Sequence, residues 1–284
     1  MALLIRKAYK SLTRLIKYGE YKKIPRAIIY GIWHQVFKIV SHTGVRVVEE
    51  DWDYLIVLDA CRYDVFKEVN TIPGRLERKI SLGSCTTEWL IKNFPGYYED
   101  IVYVSANPRI SHVEIDGFRG TDHFYKVIHV WDFGWDEELG TVPPDIVTDT
   151  ALEVVEKYPD KRIIIHYMQP HAPWIGETRL TAKDLGISFK SAIEWFRNSG
   201  KISPWGLFGK AVDVVGLDFI RKAYRDNLKL VLKEVKRLVD KLEGKIVITS
   251  DHGECFGEKF IIEHPGGIYI RELVEVPWLV IEKN

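Results

Sequence analysis

Glutamine and methionine are almost missing from this chain. Each occurs twice in 284 residues, the glutamines being Gln35 and Gln169, while Lys and Glu abound. That balance is the one expected of a thermophile. Cysteine is scarce as well. Three thiols with no CxxC spacing exclude a disulfide framework and a zinc finger, and a reducing interior is the default compartment. No stretch reaches the ~20 apolar residues that span a bilayer. The longest, 27–40, is interrupted by Gly31, His34, Gln35 and Lys38. No apolar leader opens the N-terminus, so the expected location is cytoplasmic.

Net charge is absent too, with 40 basic and 40 acidic residues, but the cancellation is not local. Residues 1–48 hold ten basic residues and a single acid, Glu20, a balance of +9, which leaves −9 on 49–284. Such a split points to an N-terminal arm facing an anionic partner. Within the arm, 3–17 (LLIRKAYKSLTRLIK) places Ile5, Ala8, Tyr9, Leu12, Leu15 and Ile16 on one helical face and Arg6, Lys10, Arg14 and Lys17 mostly on the other. A basic amphipathic helix of this kind either docks on an anionic membrane surface, peripheral to the inner face, or packs on the main domain with its basic face solvated. A second helix is expected after Pro25 and before Gly44. The arm carries no recognisable nucleic-acid module and the rest of the chain is acidic, so specific nucleic-acid binding is not expected.

From Trp52 onward short apolar runs alternate with helical patterns. The runs 53–60 (DYLIVLDA), 161–168 (KRIIIHYM) and 244–251 (GKIVITSD) read as strands buried on both faces, with further strands at 101–107 and 276–282. Helices are expected over 151–157 and 219–242. The alternation predicts an α/β domain over 49–284, with a mainly parallel central sheet flanked by helices on both faces. Residues 176–217 break the pattern and read as an insertion or lid. The sequence leaves the oligomeric state open.

Three of these strands end in residues that bind metals. The first delivers Asp59; the second His166, Gln169 and His171; the third Asp251 and His252, with Glu254 close behind. In open α/β sheets ligands bind beyond the carboxyl ends of the strands, so these residues, distant in sequence, should meet at one edge. A buried charge needs a partner or a metal, and paired carboxylates with imidazoles suit Zn or Mn. His264, in EHPGG, is a further candidate, and His166 serves equally well as a core histidine. The loop SLGSCTTEWL then offers Ser84, Cys85 and Thr86 just before a helix, where an oxyanion meets free N–H groups. Arg62 could clamp an ester oxyanion or, equally, form an ion pair with Asp64, and Asn107 ends a strand and could donate to substrate or serve the turn before Pro108.

The order DACRYD, SLGSCTTEWL, HYMQPHAPW, TSDHGE and EHP resembles the alkaline phosphatase superfamily, especially its sulfatase-like branch. The resemblance runs from Asp59 to His264. It implies an alkaline phosphatase-like fold and a metal-dependent hydrolase of phosphate or sulfate esters working through a Ser/Thr nucleophile. The alternatives it leaves are a phospho-group transferase acting on a lipid or glycan at the membrane surface, and a catalytically weak scaffold. It further implies that Asp59, Asp251 and His252 hold one divalent metal together with the nucleophile. His171 and His264 would hold a second metal or the substrate's oxygens. Ser84 is the nucleophile implied by its place after Gly83, with Thr86 and Cys85 as the other two. Two departures stand out. Gln169 occupies the turn where two-metal members carry an Asp, so it is assigned to substrate and the second metal site loses a carboxylate. The Cys-x-Pro-Ser-Arg signature of the sulfatases is absent.

Overall fold

The computed structural model describes residues 24–39, 41–187, 190, 191, 194 and 206–283. The basic helix expected over 3–17, and part of the insertion expected over 176–217, lie outside them.

The central sheet forms where the apolar runs lie. Strand β1 (Tyr54–Leu58) pairs in parallel with β5 (Arg162–Tyr167) on one side and β6 (Gly244–Thr249) on the other. Beyond β5 come β3 (Tyr98–Ser105) and then β4 (Phe124–His129), both parallel. On the other flank, β9 (Glu275–Lys283) runs antiparallel to β6, and β2 (Arg75–Ile80) antiparallel to β9. The order is β2-β9-β6-β1-β5-β3-β4. The sheet is mainly parallel, as expected, and becomes mixed on the flank formed by β9 and β2.

The sequence pattern missed β2 and β4, the two edge strands. Each carries charged or polar residues along its length (RLERKI and FYKVIH), because an edge strand meets water. The central strands read clearly because both of their faces are buried. Ile56 and Leu58 face one layer with Val102, Val104, Ile163, Ile165, Ile246 and Ile248. Leu55 and Val57 face the opposite layer with Ile101, Tyr103, Ile164 and Val247. Fully burying a side chain of this size contributes about 1.5–3 kcal/mol, so the alternation fixes the register.

Helices cover both faces. On the first lie α2 (Tyr63–Val69), α5 (Pro144–Lys157) and α6 (Gly206–Val239), which carries a non-helical residue at Gly216. The second is covered by α3 (Thr86–Asn93), through Trp89 and Leu90. Short α4 (Val130–Phe133) follows β4, and α7 (Arg271–Val274) leads into β9. A two-stranded ribbon, β7 (Cys255–Phe256) with β8 (Ile262–Glu263), projects after β6. The helix expected after Pro25 is α1 (Ile24–Ile39); its Tyr30, Trp33 and Phe37 pack on Cys255, Ile261, Ile268 and Ile270. Two helices begin earlier than their apolar periodicity shows: α5 at Pro144, a residue suited to the first turn, and α6 at Gly206.

Candidate active site

The site forms because parallel strands end together. Leu58 of β1 lies opposite Tyr167 of β5, and Val57 opposite Thr249 of β6, so the residues that follow all leave the sheet at one edge. Ser250 ties the strand ends: its hydroxyl contacts Leu58 O at 2.6 Å and His252 O at 2.6 Å, and accepts the Cys61 N–H at 2.7 Å. Ala60 turns the chain sharply after Asp59 with a left-handed φ of 60°, a costly conformation for a residue with a Cβ. Its N–H donates to Asp251 Oδ1 at 3.1 Å.

Asp59, Asp251 and His252 are all buried, and their ligand atoms lie within 4.8 Å of one another. His252 Nδ1 contacts the Gly253 carbonyl at 2.8 Å, so it carries the proton and leaves the Nε2 lone pair for the cluster. That nitrogen stands 3.3 Å from Asp251 Oδ2 and 3.6 Å from Asp59 Oδ1. His166, fully buried behind them, has Nε2 3.9 Å from a carboxylate oxygen of each Asp, and Nδ1 2.8 Å from the Tyr103 hydroxyl. Asp59 Oδ1, Asp251 Oδ2 and His166 Nε2 are buried with no hydrogen-bond partner among the described residues. Three orphaned polar atoms converging on one point would cost several kcal/mol if left so. This donor set fits a divalent cation.

The electrostatics agree. Burial, and then the Asp251 charge, push Asp59 well above the usual carboxylate range. Burial opposes the charge on Asp251 too, but the neighbouring His252 and His166, with the polar groups around them, outweigh it and hold this carboxyl low.

A second cluster, His171, Glu254 and His264, abuts the first, with the His252 and His264 rings 4.4 Å apart. His264 Nδ1 lies 3.1 and 3.2 Å from the two Glu254 oxygens, and His171 Nδ1 lies 2.5 Å from Ala172 O. Burial drives His166, His171 and His264 down to about 4, so all three are neutral near pH 7, and lifts Glu254 to about 7. Glu254 belongs to the same SDHGE turn beyond β6 as Asp251, and its signal in the sequence is the same: an acid in the turn that follows a buried strand.

The serine-threonine loop sorts itself by geometry. Gly83 is required, since a Cβ there would sit 2.4 Å from Trp89 N. Ser84 is turned into the protein: its hydroxyl contacts Glu88 Oε2 at 3.0 Å and Pro265 O at 3.1 Å, and its N–H donates to the same Glu88 oxygen. It closes the first turn of α3 much as a capping box does. Thr86, at the first position of α3, faces the cluster, with Oγ1 3.3 Å from His252 Nε2. Cys85 flanks the loop, its thiol pushed up to about 11 by burial.

Other expected residues take different places. Arg62 is committed to ion pairs, donating to both oxygens of Asp64 (2.9 and 2.6 Å), to Glu258 Oε1 (2.7 Å) and to Glu254 O (3.2 Å). This occupies most of the guanidinium, so its contacts are those of a structural tie between loops rather than of an ester clamp. Asn107 donates to Asp59 Oδ2 at 2.6 Å, which orients the carboxylate. The Gln169 amide donates to Val142 O at 3.0 Å, and its own oxygen is buried without a hydrogen-bond partner among the described residues. Arg109 was missed: it lies on the loop after β3, contacts Thr87 Oγ1 at 2.7 Å and Asp116 at 2.9 Å, and its charge reaches Asp59, Cys85 and His264.

No protein-family model matches this chain, and no curated protein does. Solved structures do. The soluble domain of lipooligosaccharide phosphoethanolamine transferase A from Neisseria meningitidis aligns at 13% identity and a TM-score of 0.51, over 80% of this chain and 75% of that one. The C-terminal periplasmic domain of EcEptC from Escherichia coli, in complex with Zn, aligns at 13% and 0.51, over 81% and 72%. A protein of the alkaline phosphatase superfamily from Vibrio parahaemolyticus aligns at 10% and 0.44, over 81% and 60%. At such identities the likeness is one of fold. The fold expected from the motifs, a mainly parallel sheet with helices on both faces, is the one shared with these phosphoethanolamine transferase domains.

Proposed function

We propose that this protein is a metal-dependent enzyme that takes a phospho group from an ester donor onto Thr86 and passes it to a hydroxyl of a lipid or glycan. The observation that carries this reading is the position of Thr86 Oγ1, at the N-terminus of α3, 3.3 Å from His252 Nε2 and beside the orphaned oxygens of Asp59 and Asp251. Sequence order favoured Ser84; the geometry favours Thr86, because the Ser84 hydroxyl is engaged with Glu88 and Pro265.

Asp59, Asp251 and His252 would hold a Zn or Mn ion, which when bound lowers the pKa of a coordinated hydroxyl and offsets charge on the transferring group. Asn107 fixes Asp59, and His166 backs both carboxylates. The N-terminal end of α3 and the nearby Arg109 favour the anionic oxygens of the group in transfer. His171, Glu254 and His264 would receive the remaining oxygens or a second ion. Here Glu254 supplies the carboxylate that Gln169 cannot.

The named activity of the Neisseria neighbour, phosphoethanolamine transfer to lipooligosaccharide, supports a phospho group and a glycolipid acceptor over sulfate. If water resolves the same adduct, the protein is instead a phosphate-ester hydrolase, the reading that the motif order favoured.

The test is to incubate the Zn-loaded protein with bis(p-nitrophenyl) phosphate and to map the adduct by mass spectrometry. A phosphoryl-type adduct on Thr86 supports the reading. Undiminished turnover in Thr86→Ala would remove it. Adding a glycolipid hydroxyl acceptor separates transfer from hydrolysis.

A further inference from the structure

Helix α1 is amphipathic in an inverted sense. Its inner face, Tyr30, Trp33 and Phe37, packs against the loops beside the site. Its outer face, which should be polar, carries Ile28, Ile32 and Val36, exposed at 55%, 57% and 41%. These three recur every fourth residue and form one stripe. An apolar stripe on the outer side of a helix marks an interaction surface.

Within the sequence of α1 itself every charged residue is basic. No Asp or Glu occurs in α1, which carries Arg26 and Lys38. Lys259 lies over the Trp33 ring at 5.7 Å and 3.8 Å from Glu272 Oε2, and next to it Phe260 is 73% exposed. Both Lys259 and Phe260 are held in left-handed backbone, φ 50° and 64°, at the tip joining β7 to β8. The tip is anchored to α1 by Tyr30, whose hydroxyl donates to Ile262 O at 2.8 Å and accepts the Ile262 N–H at 3.1 Å. Over 1–48, α1 included, the sequence holds ten basic residues against one acid. No described helix is long and apolar enough to cross a membrane. An apolar stripe flanked by cations on a helix too short and too polar to span suits the headgroup boundary of an anionic bilayer.

We infer that the outer face of α1, Ile28, Ile32 and Val36 with Phe260 beside it, docks this protein flat on an anionic lipid surface. The consequence is positional. α1 packs on the segment that leaves His264: a Cβ at Gly267 would meet His34 at 3.1 Å, and Gly266 borders Cys85. Docking therefore sets the rim of the candidate active site against the bilayer, where an ester carried by a lipid would be presented. The docking surface stands on α1 and its charges, whether or not Thr86 is a nucleophile.

The test is co-sedimentation of the full chain with phosphatidylcholine vesicles, with and without phosphatidylglycerol. Wild type is expected to bind the phosphatidylglycerol vesicles, to release with added salt, and to bind phosphatidylcholine weakly. Ile28→Asp/Ile32→Asp/Val36→Asp should lose roughly tenfold or more in partitioning, with an unchanged thermal midpoint because the inner face is untouched. Ile32→Cys carrying an environment-sensitive fluorophore should shift to the blue on the same vesicles. Vesicle binding by the triple variant equal to wild type would overturn the inference. So would a wild-type chain that ignores vesicles but forms a dimer lost in the triple variant, since the stripe would then be an interface between copies. If Ile32→Cys reports an apolar environment without lipid, and only while residues 1–23 are present, the chain's own segment covers the stripe and the inference also fails.

Discussion

Thr86 Oγ1 and His252 Nε2 lie 3.3 Å apart although 166 residues separate them in sequence. Their approach joins the first turn of α3 to the end of β6 and places a hydroxyl against a buried group of potential metal ligands.

If Thr86 is the acceptor of the transferred group, Thr86→Ala should lower turnover roughly a thousandfold or more. Ser84→Ala should retain most activity and lose stability instead, about 1 kcal/mol for a missing hydrogen-bonded turn. Steady-state kinetics beside thermal melts separate the two. The reverse pattern would return the nucleophile to Ser84.

The paired carboxylates give a signature in the metal-free protein. Asp59→Asn removes one of two buried like charges, so its chelator-treated form should be at least as stable as chelator-treated wild type. The same variant should lose bound Zn or Mn by elemental analysis. Saturating metal should stabilise wild type by roughly 4 kcal/mol at a thousandfold excess over Kd and the variant far less. Equal metal content in both proteins would show that Asp59 is not a ligand.

The metal-free protein should also weaken as the pH falls from neutrality. His166, His171 and His264 sit at about 4, and His252 is also lowered, all by burial, so they stay neutral while the unfolded chain takes up protons through about 6.5. Their contribution is complete above that value and is lost as the pH drops toward 4. Glu254, at about 7, and Asp59, also raised, work the other way, since the folded chain binds their protons first. Four imidazoles against two carboxyls leave a net loss, on the order of 1 kcal/mol per pH unit between about 6.5 and 5. Thermal midpoints after chelation read this directly, and a midpoint that rises on acidification would contradict the burial of these rings.

Arg62 separates structure from chemistry. Arg62→Met leaves Asp64 and Glu258 without their shared partner and should cost roughly 1.5–3 kcal/mol, with KM little changed in the protein that remains folded. A large rise in KM without loss of stability would instead make Arg62 a substrate clamp.

Glu254→Gln should retain the metal held by Asp59, Asp251 and His252, and lose whatever His171 and His264 hold with it. Metal stoichiometry and kcat together decide this: loss of all metal would merge the two clusters into one site, and an unchanged kcat would make Glu254 structural.

The sequence by itself determined the central strands and the ends from which the site is built. Strands buried on both faces must be continuously apolar, so Asp59, His171 and Asp251 stood out where those runs stop. It could not show β2 and β4, whose outer edges meet water and whose composition is that of a loop. It also could not rank Ser84 against Thr86. Two residues apart at the start of a helix, they point in different directions, and only the tertiary packing sets the Ser84 hydroxyl against Pro265 O and turns Thr86 Oγ1 toward His252. Arg62 with its neighbour Asp64, and Asn107, were legible as polar residues beside the site, but the partners Glu258 of Arg62 and Asp59 of Asn107 lie 196 and 48 residues away. Local pattern records where a charge stands; which distant group it meets is decided by the tertiary fold, because hydrogen bonds and ion pairs depend on distance through space.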